Sequence, residues 1–379
     1  MFKSKLPDVG TTIFSVMSAL AHEENAINLS QGFPNFEIDE KLKELVKEAL
    51  DKEQVQYAPM PGRLDLREQI AGKLFVQHGI QVDPSNEITI TAGATEAIYS
   101  IITAVVSKGD EVLLFDPSYD CYAPSIVLNG GKPIHLKLKF PDFKIDWNEV
   151  EQVVSSKTKM IIVNNPHNPA GSTWTKDDIV ALEKICEKYP ELIILSDEVY
   201  EHINFKGAHQ TVLKSPLLRS RSFAVYSFGK TFHVTGWKIG YCIAPQAFTN
   251  EMRKVHQFNV FCVNNTMQYA LSKYLESGDQ WAKVKPMYER KRNLFLDGMK
   301  QSKFNSLKCD GTYFCLFDYS AISDLGDKEF AIWMTKEHKV ASIPVSVFYD
   351  DITDNKVVRF CFAKDDQTLT EAIEKLCKI

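Results

Sequence analysis

The chain has 379 residues, about two to three ordinary domains' worth, and its 44% apolar and 25% charged composition is that of a folded globular protein. That excludes a disordered chain, a coiled coil and a collagen-like repeat. With 44 Lys+Arg against 49 Asp+Glu the net charge is −5, and no basic run offers a footprint for nucleic acid.

From the N-terminus, Lys3 and Lys5 precede a semi-apolar stretch, residues 13–21, that ends Ala-Leu-Ala in the manner of a signal-peptide cleavage site. Pro7 and Asp8 interrupt its start, and Thr11, Thr12, Ser15 and Ser18 dilute it, so an amphipathic segment of a cytoplasmic protein is expected instead. Residues 39–55 and 64–77 read as amphipathic helices. From residue 87 short apolar strands alternate with helices: strand 87–91, helix 94–107, strands 111–115 and 159–163, helix 175–188, strands 192–195 and 223–226. Such runs predict a largely parallel sheet covered on both faces. Residues 266–300 read as one long helical region, followed by strands 311–318 and 357–362 and a closing helix. The expected division is an N-terminal arm contributing to a small domain (1–38), a large domain (39–270) and a small α+β domain (271–379). The best apolar run, residues 98–106, is too short to span a bilayer and contains Ser100 and Thr103. Eight scattered cysteines without a C-x-x-C pair read as reduced thiols, and no metal site is expected.

In open α/β sheets ligands sit beyond the carboxyl ends of the parallel strands. Five motifs occupy such places. Thr91-Ala-Gly-Ala-Thr95 joins a strand to a helix, and its small residues let backbone N–H groups and the Thr95 hydroxyl approach an anion; an ordinary tight turn reads the same way. No G-x-G-x-x-G or G-x-x-x-x-G-K-[ST] loop is present, which disfavours dinucleotides and ATP. Phe115-Asp-Pro-Ser-Tyr-Asp-Cys-Tyr122 offers Tyr119 or Tyr122 as a stacking face, core packing being the alternative. Asn164-Asn-Pro-His-Asn-Pro-Ala-Gly171 sets Asn168 between prolines, as a directional amide or a turn residue; His167 receives no role. Leu195-Ser-Asp-Glu-Val-Tyr200 ends an apolar strand in Asp197, where a carboxylate needs a cation or donors, with Tyr200 three residues on. In Tyr226-Ser-Phe-Gly-Lys230, continuing to Thr-Gly-Trp-Lys-Ile-Gly240, Lys230 stands among Phe228, Phe232 and Trp237 with Lys238 following. Both features depress an amine's pKa and make it a nucleophile for a carbonyl.

An anion cradle, an aromatic plate, an amide, a carboxylate, a phenol and an activated lysine together meet the needs of pyridoxal 5′-phosphate. Asn168-Pro-Ala-Gly171, Ser196-Asp-Glu-Val-Tyr200 and Ser227-Phe-Gly-Lys230 with Thr235-Gly-Trp-Lys-Ile-Gly240 resemble the class I/II aminotransferases of pyridoxal-phosphate fold type I. The resemblance runs from Leu29-Ser-Gln-Gly-Phe-Pro34 to Val358-Arg-Phe-Cys-Phe-Ala-Lys364, and is greatest to the methionine and kynurenine aminotransferase (glutamine transaminase K) branch. It implies a large domain built on a mostly parallel seven-stranded sheet flanked by helices, plus a smaller α+β domain. It implies that Lys230 forms the Schiff base and moves the proton, that Asp197 pairs with the pyridine nitrogen, and that Asn168 and Tyr200 donate to the ring oxygen. Tyr119 matches the stacking position, and Gly93, Ala94, Thr95, Ser227 and Lys238 the phosphate site. Many relatives have arginine where Lys238 stands, so a point charge replaces a fork there. Arg359 corresponds to the clamp on the substrate carboxylate, with Gly32, Phe33 and Asn168 closing that pocket. Tyr57 corresponds to a residue reaching the neighbouring subunit's phosphate, which implies a homodimer with shared sites. Phe261-Cys-Val-Asn-Asn265 lacks the second arginine of dicarboxylate-specific relatives, pointing to neutral, aromatic or sulfur-containing substrates. The expected activity is ping-pong amino transfer from methionine, an aromatic amino acid, glutamine or kynurenine to a 2-oxo acid. A cysteine-conjugate β-lyase on the same scaffold is the alternative, and a non-catalytic regulator a third reading.

Overall fold

The computed structural model describes residues 3–379. Its centre is a seven-stranded sheet in the order Ile88–Thr91, Gly240–Ile243, Ser222–Ser227, Ile193–Asp197, Thr158–Asn164, Glu111–Asp116, Lys132–Lys137. Gly240–Ile243 runs antiparallel to both neighbours and the remaining pairs are parallel.

Alternate residues of the central strands enter two cores, as the two-residue period of a strand requires. Val112, Leu114, Ile162, Leu195, Phe223 and Val225 meet Ala97, Ile98, Ile101 and Ile102 of helix Ala94–Val105 on one face. Leu113, Ile161, Val163, Ile194, Ala224 and Tyr226 meet Leu66, Ile70 and Leu74 of helix Leu64–His78 on the other. Burial on both faces is why these strands read as continuous apolar runs. Strand Lys132–Lys137, at the sheet edge and mostly half-exposed, and the four-residue Gly240–Ile243 were outside the sequence expectation.

A second, four-stranded antiparallel sheet orders Ile343–Pro344, Val357–Cys361, Phe314–Asp318 and Asn305–Ser306. Its core is aromatic, with Phe295, Phe304, Phe317, Phe330 and Phe360 buried together. The N-terminal segment joins this layer. Helix Ile13–Glu23 buries Met17 against Ala331, Ile343 and Phe348, and Ile27–Asn28 pairs in parallel with Val340–Ala341.

The expected single helical region 266–300 is two helices, Asn265–Glu276 and Val284–Met299. Gly278, at φ +129, breaks the run in a conformation other residues disfavour. The first helix passes through residue 270 and buries Ala270, Leu271, Tyr274 and Leu275 in the large core. Among the described residues no helix is long and apolar enough to cross a membrane.

Candidate active site

The polar ends of the parallel strands converge on a cavity of about 220 Å³. At one end, strand Ile88–Thr91 turns through Gly93 (φ +78) into helix Ala94–Val105, whose first N–H groups have no partner within the helix. Strand Gly240–Ile243 lies so close that a Cβ on Gly240 would stand 2.7 Å from the Tyr226 carbonyl oxygen and 2.9 Å from the Ala94 nitrogen. A Cβ on Gly93 would stand 3.3 Å from Lys238 Nζ. Glycines therefore let a helix N-terminus, the Ser227 strand end and an ammonium group face one space, which is the arrangement that binds an anion.

Across the cavity Asp197 ends its strand fully inside the protein. Its Oδ2 accepts from the Tyr122 hydroxyl at 2.6 Å and its Oδ1 from the Val199 N–H at 3.3 Å. Burial pushes its carboxyl up to about 6, against the opposing pull of these donors. A carboxylate so placed gains most from a cation. Asn164 fixes the same strand end, its amide donating to the Asp197 carbonyl (2.9 Å) while its Oδ1 accepts the Asn168 N–H (2.7 Å).

Lys230 lies between these poles on the short helix Phe228–Thr231. Burial, and then the charge of Lys238, pull its amine down to about 8. Its Nζ has no hydrogen-bond partner among the described residues and stands 6.0 Å from the Tyr200 ring and 5.8 Å from the Tyr313 ring. Burial holds the Tyr200 phenol well above its ordinary value, so it remains a donor.

Arg359 is fully buried, its guanidinium carbon 3.8 Å from the Phe314 ring centre. Its NH1 donates to Asn168 Oδ1 (2.7 Å) and its NH2 to the Ser30 carbonyl (3.1 Å), while Nε has no partner. No carboxylate lies within ion-pair reach of it among the described residues, although a buried cation ordinarily requires one. Because Asn168 Oδ1 is committed to Arg359, the Asn168 amide nitrogen is free to donate into the cavity.

Gly32, Gly93, Ala94, Thr95, Tyr119, Asn168, Asp197, Tyr200, Ser227, Lys230, Lys238 and Arg359, all singled out from sequence, line this one cavity. Two candidates do not. Phe33 turns outward, its ring 4.3 Å from Lys364 Nζ, which also donates to the Phe33 carbonyl. Tyr57 is 82% exposed, edge-on to Phe261 at 5.5 Å. Tyr122, the other candidate stacking face, is instead the donor to Asp197. Phe14, Gln31, Asn164 and Phe314 line the cavity without having been assigned roles. His167 is buried and neutral, burial pushing it down to about 4.

A family model described as aminotransferase class I and II matches residues 24–376. The methionine aminotransferase of Escherichia coli K12 is 48% identical over 99% of this chain and 97% of its own length. The kynurenine–oxoglutarate transaminase of Dictyostelium discoideum is 32% identical over 98% of this chain and 94% of its own. A crystal structure from E. coli, reported with a methionine aminotransferase function, superimposes with a TM-score of 0.98 over 100% of both chains at 48% identity.

Proposed function

The chain belongs to the class I and II aminotransferases, and from that premise we propose that it moves the amino group of a neutral L-amino acid (methionine, aromatic, glutamine or kynurenine type) to a 2-oxo acid by a ping-pong route. The observation that carries the reading is the placing of Lys230, Asp197 and Arg359 around one cavity, Asp197 and Arg359 buried without an ion-pair partner and Lys230 half-buried with its amine unbonded. Arg359 is also the one guanidinium lining that cavity among the described residues, which supports a substrate with one carboxylate. The methionine and kynurenine transaminases among the relatives support the same donor classes.

Enzymes of this family use pyridoxal 5′-phosphate, and the residues present fit it. The Gly93–Gly240 closure leaves the helix N-terminus open to a phosphate, Asp197 lacks a cation, and Lys230 Nζ is unbonded. When bound, the cofactor supplies a protonated pyridine ring that withdraws electrons and acidifies the Cα–H of the amino acid joined to it. The chain's own residues do the rest. Ala94, Thr95, Ser227 and Lys238 would hold the phosphate, and Tyr119 would lie against the ring. Asp197, kept ionised by the ring's N–H⁺ and the Tyr122 hydroxyl, would keep that nitrogen protonated. Tyr200 and Asn168 would donate to the ring oxygen. Arg359 would take the substrate carboxylate on its guanidinium fork, and the Asn168 contact sets the plane of that fork. Lys230 would hold the cofactor's aldehyde carbon, and its amine, drawn down to about 8, is suited to act as base toward the substrate Cα proton near neutrality.

The reading includes a homodimer with shared sites. Tyr57, Phe258 and Phe261 are exposed aromatics, at 82%, 86% and 48%, and supply an apolar face on which Tyr57 would reach a partner's phosphate. Purified enzyme supplied with each candidate donor and no acceptor tests the reading. A good donor is expected to shift the cofactor's absorbance to that of the pyridoxamine form and release one 2-oxo acid per site. Failure of every neutral donor to do so contradicts it.

A further inference from the structure

Gln31 lines the cavity, yet its identity alone does not say whether it presents an acceptor or a donor there. The surrounding bonds decide. Asn28 Oδ1 accepts the Ser30 N–H (3.0 Å), the Ser30 hydroxyl (2.7 Å) and the Gln31 N–H (3.3 Å), so the Asn28 amide cannot be turned around without facing donors with a donor. Its Nδ2 consequently donates to Ser18 Oγ at 3.3 Å. The Ser18 hydroxyl, accepting there on one of its two lone pairs, donates its single proton to Gln31 Oε1, at 2.7 Å. Gln31 is left with an N–H2 group uncommitted among the described residues. Ser18 stands one helical turn after Phe14, another cavity-lining residue, so this part of the wall is an apolar face carrying one oriented donor.

We propose that Gln31 is a specificity-determining residue, its amide N–H2 recognising a carbonyl oxygen in the amino donor's side chain, and that Ser18 is the positioning residue that keeps the amide turned that way. The proposal rests on the aminotransferase reading above and narrows its substrate class. Donors with a side-chain carbonyl gain a hydrogen bond that a thioether, a weak acceptor, forms poorly. The α-carboxylate is matched by Arg359, which leaves the Gln31 donor for the remainder of the substrate.

The test compares glutamine with methionine, near-equal in length and different in acceptor strength, as donors to the Q31L and S18A holoenzymes. The ratio of their kcat/KM values, glutamine over methionine, is expected to fall about tenfold in Q31L, the size of one neutral hydrogen bond, and by less in S18A, where the amide is freed to turn. The effect should lie in KM rather than kcat. It should recur in the affinities of α-methylglutamine and α-methylmethionine, which lack a Cα–H to lose and so report binding alone. A ratio that holds in both variants, whether activity is kept or lost equally with both donors, overturns the proposal. Wild-type enzyme that accepts aromatic donors but neither of these two overturns this proposal alone, whereas wild-type enzyme that accepts no neutral donor overturns the aminotransferase reading beneath it.

Discussion

Replacing Asp197 with asparagine is expected to stabilise the cofactor-free protein at neutral pH while destroying its activity. Burial raises the Asp197 carboxyl from 3.8 to about 6 in the fold. Since the folded value exceeds the unfolded one, the fold favours the protonated acid. Its contribution is complete below about pH 4 and is lost as pH rises through about 6. Two pKa units at 1.36 each mean that ionised Asp197 costs the empty protein roughly 3 kcal/mol at neutrality. Asparagine keeps an oxygen for the Tyr122 hydroxyl, 2.6 Å away, but adds an N–H2 without an evident acceptor. The net gain is therefore about 1–2 kcal/mol. Urea unfolding of cofactor-free wild type and D197N across pH 4 to 8 measures it: the variant should be about 1–2 kcal/mol the less stable near the acid end and overtake wild type as Asp197 ionises. Transamination by D197N should fall by about two orders of magnitude or more, as when one oriented electrostatic partner is lost from an active site. A variant less stable than wild type at pH 7, or a gap that does not change with pH, would refute the reasoning. The cost is one the bound cofactor's cation relieves, so stability here is given up for function.

Lys238→Gln removes a cation that depresses the Lys230 amine, so labelling of Lys230 in cofactor-free protein, half-complete near pH 8 in wild type, should move to higher pH. Mass spectrometry of labelled peptides checks this, and an unmoved midpoint counts against the coupling. Arg359→Ala should lower kcat/KM for every amino acid about a hundredfold to a thousandfold, the equivalent of two charge-assisted hydrogen bonds, with thermal melting showing that the fold persists. Gly240→Ala places a Cβ 2.7 Å from the Tyr226 carbonyl oxygen and 2.8 Å from Gly93. Forcing that turn apart should cost about 1–3 kcal/mol of stability and weaken cofactor binding, seen as loss of pyridoxal phosphate on dialysis.

Much of the site could be read in advance because each strand-end motif joins an apolar run to chemically unusual residues. Asp197 after Leu192-Ile-Ile-Leu195 and Lys230 after Phe223-Ala-Val-Tyr226 stand out for being polar where the chain is otherwise buried. What could not be read depends on distant partners. Tyr122 meets Asp197 from 75 residues away, and no local spacing distinguishes a phenol that donates from one that stacks. The polarity of Gln31 is set by Ser18 and Asn28, two residues on two elements. Strand Lys132–Lys137 gives no local signal because an edge position leaves Lys132, Pro133 and His135 without the apolar pattern that marks central strands. The break after Glu276 was lost in a stretch whose two helices share mixed charge, and Gly278 alone is a weak marker of it.

The covalent attachment point is the claim on which the other assignments depend. Borohydride reduction of the holoenzyme, digestion and peptide mapping should place one pyridoxyl group per chain on Lys230. The same label on Lys238 or any other lysine, or no label at all, would contradict the account.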